Sequence, residues 1–181
     1  RLGEVCNNIT SAEPVMRDAD IVTIDLRCIK SSELSSRQKL SPNGFDGKEI
    51  CSISRYAGIS NKVSSFGIFE YRSSNEDEIT EMLIAQILWY FIEGVNCRII
   101  DNDFTNIASF QKFMVEVDKY ELIFYKSIKT ARWWIEIPNS SNNNNKLKEH
   151  SLLSCTHDDY QNANDGIIPE RWYKAHKKNI I

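Results

Sequence analysis

The chain has 181 residues, of which 41% are hydrophobic and 26% charged. That balance belongs to a folded globular protein, of a length for one domain or one domain and part of another, and excludes a disordered polyelectrolyte. A net charge of −3 offers no basic stripe for nucleic acid or an anionic membrane. The charge-free apolar run Met82 to Ile92 falls well short of the roughly 18 residues that suggest a membrane-spanning helix.

The five cysteines, Cys6, Cys28, Cys51, Cys97 and Cys155, are odd in number, widely spaced and form no Cys-x-x-Cys pair. That usage implies reduced thiols and a cytoplasmic setting. No secretion signal is visible. The sequence opens at Arg1 in Arg-Leu-Gly-Glu without an initiator Met, and it is read as a piece of a longer protein.

In chain order, Glu4 to Arg17 has the spacing of a short helix, with Val5, Ile9 and Ala12 on one face and Pro14 expected to end or bend it. Ile21-Val22-Thr23-Ile24-Asp25-Leu26 is a β-branched run closing on a carboxylate, the pattern of a buried parallel strand. A polar loop from Lys30 to Lys39 leads to the turn Ser41-Pro42-Asn43-Gly44. Asp46 can cap a helix over Gly47 to Tyr56, with Gly58 as its stop. Val63 to Tyr71 is a second strand, again ending in a carboxylate, Glu70. Ser73 or Ser74 can cap a helix reaching Glu93, with Glu76, Asp77 and Glu78 in its first turn. That helix is apolar nearly all round, which predicts that it is sandwiched. The alternation implies an α/β fold, a three-layer parallel sheet with helices on both faces.

The rest changes character. Thr105 to Val117 fits a helical period through Ile107, Phe110, Phe113, Met114 and Val117. Tyr120 to Tyr125 and Arg132 to Ile137 fit the two strands of a hairpin. Asn139 to Lys146 is a low-complexity, Asn-rich loop expected to be mobile. The aromatic stretch within Tyr160 to Lys178 is expected to dock on the body. The chain thus divides into residues 1–138, the α/β part, and 139–181, loop and docking tail.

Asp25 and Glu70 are the residues singled out by position, because open α/β sheets bind ligands at the carboxyl ends of their strands. An acidic residue leaving a strand also commonly caps the next turn, and position alone leaves both readings open. Other candidates point to structure. Thr156 and Asp159 frame His157 as a helix cap. His150 and His176 stand among charges, as surface residues do. Trp133 and Trp134 have strand spacing and suit a core, Ser64-Ser65 lacks a histidine partner, and Lys174, Lys177 and Lys178 form a short solvated tail.

Three segments together carry a family resemblance: Thr23-Ile24-Asp25-Leu26-Arg27-Cys28-Ile29-Lys30, Ser41-Pro42-Asn43-Gly44-Phe45-Asp46-Gly47-Lys48-Glu49, and Ser64-Ser65-Phe66-Gly67-Ile68-Phe69-Glu70-Tyr71. They resemble the C-terminal half of the ureohydrolase superfamily (arginase, agmatinase, formimidoylglutamase), with the formimidoylglutamase-like proteins of bacteria nearest through the Arg132-Trp133-Trp134 stretch and aromatic tail. The likeness is good from Arg1 to about Pro138 and looser beyond. It implies an arginase-like fold, present as a C-terminal fragment with a β-hairpin and tail. It also implies hydrolysis of a C–N bond of a small linear amidine by hydroxide held between two Mn²⁺ ions. Asp25 then stands at a metal-ligating position and Glu70 at the carboxylate facing the amidine. Arg27 stands where the second aspartate of the family's Ser-x-Asp-x-Asp motif belongs, and a guanidinium cannot ligate a cation.

Two functions therefore compete. One is a formimidoylglutamase-like hydrolase in the full-length protein, the 181-residue chain alone being inactive. The other is a non-catalytic arginase-fold protein with a degenerate metal site, serving binding or assembly. The partners expected are a small amidine and, through the apolar helix and aromatic tail, a further copy of the chain; neither nucleic acid nor membrane is expected.

Overall fold

The structure, a computed structural model, describes residues 1–35, 41–72, 77–101, 103–104, 106–138 and 152–180. The expected caps Ser73 and Ser74, the Asn run and His150 lie outside them. Two compact units form, Arg1–Ile99 and Ile100–Ile181, and each follows its own logic.

In the first unit, helices α1 (Leu2–Asn7) and α2 (Glu13–Asp18) are joined by a 3₁₀ turn over Ile9–Ala12. The single helix expected over Glu4 to Arg17 is thus broken. Pro14 lies in the first turn of α2, where its missing N–H is no loss, so it starts a helix instead of ending one. Strand β1 (Ile21–Asp25) buries Val22 and Ile24. Strand β2 (Ser65–Phe69) pairs with it in parallel, from Ile21 opposite Ser65 to Asp25 opposite Phe69.

Between them runs α3 (Gly47–Ile59), opened by a reciprocal cap: Asp46 Oδ1 accepts from the Glu49 N–H at 2.8 Å, and Glu49 Oε2 accepts from the Asp46 N–H at 2.8 Å. The expected face, Ile50, Ile53 and Ala57, is buried. Gly58 does not stop this helix. It faces Gly94 of α4 (Glu78–Asn96) at a backbone crossing too close for any side chain. Asp77 caps α4 by accepting from the Thr80 N–H. Ile24, Leu26, Ile29, Leu34, Ile50, Ile53, Leu83 and Ile87 form the main core, and Phe66 stacks on Phe91 with ring centroids 4.2 Å apart.

The expectation that α4 is sandwiched is corrected. Thr80, Leu83, Ile87 and Gly94 are its buried residues, whereas Ile79, Met82 and Trp89 are 63%, 63% and 72% exposed. The three-layer parallel sheet is corrected in the same way: the described parallel sheet has two strands, and the remaining strands build a different sheet.

That second sheet, in the second unit, is antiparallel with strands in chain order: β3 (Phe110–Val117), β4 (Tyr120–Ser127), β5 (Trp133–Glu136) and β6 (Leu152–Cys155). The helix expected over Thr105 to Val117 is instead β3. Its apolar residues fit both periods, but Asp118-Lys119 is a two-residue connection with Asp118 at φ +53°, and eight residues then pair with β4 from Val117–Tyr120 to Phe110–Ser127. Hairpin pairing decides what the local period leaves ambiguous. The expected β4–β5 hairpin is present, with Phe124 opposite Ile135. Because β6 pairs with β5, the sheet runs across the sequence boundary drawn after Pro138, and that boundary does not separate the compact units.

Trp133 and Trp134 are buried on opposite faces of the sheet: Trp133 stacks on Tyr160 at 4.8 Å, and Trp134 meets Phe104 and Phe110 edge-on. Helix α5 (His157–Asn164) is capped by Thr156 with Asp159 as anticipated. Helix α6 (Glu170–Ile180) docks through Trp172, fully buried, whose Nε1 donates to the Glu136 carbonyl at 2.8 Å. His176 is no free surface residue, since its ring stacks on Trp172 at 4.7 Å.

Candidate functional site at the strand ends

The parallel pairing of β1 and β2 brings their carboxyl ends together, and with them the two carboxylates the sequence singled out. Strand β1 ends at Asp25, and the chain tightens at once into a 3₁₀ turn over Leu26–Cys28. Leu26 and Ile29, 1% and 0% exposed, anchor that turn in the core. Asp25 caps it: Oδ1 accepts from the Arg27 N–H at 2.9 Å. The capping role and the strand-end role therefore coincide in one side chain.

The turn is pinned from the far side by the Ser41–Phe45 loop. Phe45 donates its N–H to the Cys28 carbonyl at 2.8 Å and accepts from the Lys30 N–H at 2.9 Å. A Cβ on Gly44 would lie 2.5 Å from the Cys28 oxygen and 2.7 Å from Ile29 C. Only glycine allows that approach. The Ser-Pro-Asn-Gly-Phe motif thus positions the turn below Asp25, a role the turn signal in the sequence did not reveal.

Arg27 folds back over Asp25. Its Nε donates to Oδ1 at 2.9 Å and to Oδ2 at 3.0 Å, and its Nη2 donates to Oδ2. The contact engages both carboxylate oxygens with a fixed guanidinium fork. Glu70 follows β2 directly, at φ +64°, a left-handed conformation that costs a non-glycine residue roughly 1–2 kcal/mol. Its Oε1 lies 3.9 Å from Arg27 Nη2. The hydrogen bond to Asp25, then the charges of Asp25 and Glu70, raise the Arg27 pKa, so the group is a permanent cation and no base. All three side chains are partly open to solvent, at 39%, 50% and 38% exposure for Asp25, Arg27 and Glu70. Beneath them the Cys28 thiol is pushed up to about 11 by burial, with the Asp25 charge adding to the effect.

The sequence-predicted residues Asp25, Arg27 and Glu70 are therefore assembled, and their donor chemistry can be tested against a dinuclear Mn²⁺ site. It does not fit. Asp25 is engaged by a cation that offers no lone pair. Among the described residues no three His, Cys, Asp or Glu side chains gather where a metal ion could be held. What the cluster can do is hold two carboxylates together around one guanidinium.

The remaining candidates are structural. Ser64 Oγ donates to the Asp20 carbonyl at 3.1 Å, and Lys174 pairs with Glu170 at 2.6 Å. No helix among the described residues is long and apolar enough to cross a membrane. All five cysteines are free thiols.

No family model matches the chain, and no curated protein matches it. Among solved structures, the oxidized formiminoglutamase of Trypanosoma cruzi with Mn²⁺ at pH 8.5 is similar over 54% of this chain and 36% of its own length, at 19% identity and a TM-score of 0.47. The chain thus spans little more than a third of that enzyme.

Proposed function

We propose that this chain is part of a ureohydrolase-like protein whose strand-end site works without metal, serving binding or assembly instead of hydrolysis. The observation that carries this reading is the engagement of both Asp25 oxygens by Arg27, at the position where the motif resemblance implies a metal ligand. Hydrolysis of an amidine carbon near neutral pH calls for an activated water, which paired divalent cations supply. A guanidinium supplies positive charge but has no acceptor orbital for water, and it stays protonated. Arg27 therefore offsets one of the two strand-end negative charges while leaving the carboxylates without that chemistry. Five free thiols suit the cytoplasm as the compartment.

A second reading is favoured by the placement of Asp25 and Glu70. They end adjacent parallel strands at the same edge and are partly open to solvent, the location where α/β sheets hold ligands. On that reading the full-length protein is a formimidoylglutamase-like hydrolase of a small linear amidine, with Asp25 toward Mn²⁺ and Glu70 toward the amidine.

Titration calorimetry with Mn²⁺, run beside assays for urea, ammonia and formamide release, separates the two. The first reading expects no saturable Mn²⁺ binding by the chain or the full-length protein, and no product above background. It also expects Arg27→Asp, which sets a third carboxylate beside Asp25 and Glu70, to gain Mn²⁺ affinity. Stoichiometric Mn²⁺ binding with product release by the unaltered full-length protein would overturn the first reading and establish the second.

A further inference from the structure

We propose that the outer edge of β3 is a self-association surface, along which a second copy of this chain adds its own β3 antiparallel, with Met114 facing Met114 of the second copy and Lys112 facing its Glu116. The inference rests on the second unit alone and is independent of the strand-end site.

Strand β3 ends its sheet: β4 pairs along one side of it, and no described strand pairs along the other. It is as long as β4, eight residues from Phe110 to Val117, and a long bare edge is a template for another strand. Which backbone groups point outward follows from the hairpin. With Asp118-Lys119 as a two-residue connection, the closing pair Val117–Tyr120 is hydrogen-bonded, and the pattern alternates from there. Val117, Val115, Phe113 and Gln111 therefore turn their N–H and C=O toward β4. The same parity holds at the far end, where the Ser109 carbonyl accepts from the Ile128 N–H at 3.0 Å. Lys112, Met114 and Glu116 turn theirs away from β4. Their side chains also share one face of the sheet and are all exposed, Met114 at 61%.

The choice of a second copy comes from the order of charges along this edge. Lys112 and Glu116 flank Met114 symmetrically and are opposite in sign. Outward-turned residues must face outward-turned residues, which limits the antiparallel registers to a few. Centring the pair on Lys112 sets lysine against lysine, and centring it on Glu116 sets glutamate against glutamate. Centring it on Phe113 or Val115 sets Met114 against a charge. Centring it on Met114 sets Lys112 against Glu116 twice, with the two Met114 side chains meeting at the two-fold axis. On the core face the same register lays Phe113 beside Val115 of the second copy, an aromatic–β-branched pair that extends the existing core. It also relieves a conflict in the hairpin itself. Glu116 lies directly opposite Glu121 of β4, a destabilising like-charge pair, and Lys112 of the second copy arrives on its other side. Three hydrogen-bonded pairs contribute about six backbone hydrogen bonds across the axis. The same two charges oppose a strand of different charge order, so the edge discriminates among strands, and a second copy carries the complementary order by symmetry.

Sedimentation velocity and light scattering on the 181-residue chain, under reducing conditions at about 10 μM, test this. The expected result is a closed dimer of twice the 20.9 kDa chain mass. Lys112→Glu and Glu116→Lys each turn two attractive pairs repulsive, and each should weaken the dimer by about 10-fold or more. The double exchange should restore it. An equimolar mixture of the two single variants should form a heterodimer, because their charges are complementary across the axis. Met114→Pro removes an outward N–H that β4 does not use, and should leave a monomer with unchanged far-ultraviolet circular dichroism. The charge variants, at exposed positions, keep the proposal testable if proline disturbs β3. A chain that stays monomeric at about 100 μM, open-ended aggregation, a dimer indifferent to the single exchanges or to Met114→Pro, or single variants that neither the double exchange nor the mixture rescues would each overturn it.

Discussion

Replacing Gly58 by alanine probes the contact on which the first unit depends. A Cβ there would sit 2.2 Å from the Phe91 carbonyl oxygen and 2.9 Å from Gly94 Cα. An ordinary carbon–oxygen contact needs about 3.3–3.6 Å, so α3 and α4 must part by roughly 1 Å. Both struck atoms are backbone, and no side-chain rotation relieves them. Opening the crossing loosens the packing of Ile53, Leu83 and Ile87 in the core, where a gap of that size forfeits about a quarter to a half of each dispersion contact.

Overpacking of this kind costs about 1–3 kcal/mol, and an unrelievable backbone contact belongs at the upper end. Alanine offsets about 1 kcal/mol of this through its helix propensity. The net expectation is a loss of about 2 kcal/mol, or a urea midpoint about 1 M lower at an m-value in the usual range. Urea unfolding followed by circular dichroism measures it. Gly3→Ala is the control: it lies in α1 with nothing within 4 Å of the added Cβ, and should be neutral or slightly stabilising. A Gly58→Ala chain as stable as the Gly3→Ala chain would refute the reasoning.

Three further outcomes are expected. Thr156→Ala removes the cap of α5, whose hydroxyl accepts from the Asp159 N–H at 3.1 Å, and should cost about 1 kcal/mol in thermal or urea unfolding. Trp172→Ala empties the fully buried indole site and abandons the Glu136 carbonyl; a loss of about 3–5 kcal/mol should appear as early unfolding of the second unit, read by the fluorescence of Trp133 and Trp134. The Cys28 thiol is raised from 9.0 to about 11 in the fold, so the native chain holds this proton more tightly than the unfolded one. Its contribution to stability is therefore complete below about pH 9 and is lost as pH rises toward 11. Urea midpoints across that window should fall more steeply for the unaltered chain than for Cys28→Ser, and alkylation of Cys28 should stay slow until the same pH.

What the sequence made legible was local chemistry. The cap residues Asp46 and Thr156 act within one helical turn of themselves, and both form as read. Strands β1 and β2 are β-branched or aromatic runs bounded by polar residues, and they pair in parallel as the alternation implied. Three of the misreadings share another cause: they turn on partners outside the segment itself. Phe110 to Val117 satisfies two periods, and β4 chooses between them. Gly58 looked like a stop because the approach of Gly94 is not visible in α3 itself. Helix α4 looked sandwiched because its composition records that its faces are apolar, not which of them this chain covers.

The strand-end site shows the same division at the scale of three residues. Asp25 and Glu70 were legible because a carboxylate closing a buried run is a local pattern. The sequence left open whether Arg27 pairs with Asp25 or turns to solvent, because side chains two apart share a face only while a strand continues. Strand β1 ends at Asp25 and the backbone enters a 3₁₀ turn, so it is the turn, and not the strand pleat, that brings the guanidinium back onto the carboxylate. That turn is held by Leu26 and Ile29 in the core and by the Gly44–Phe45 loop pressed against its carbonyls, none of which depends on a metal. The residues that build the floor of the site are thus separable from those that would give it chemistry.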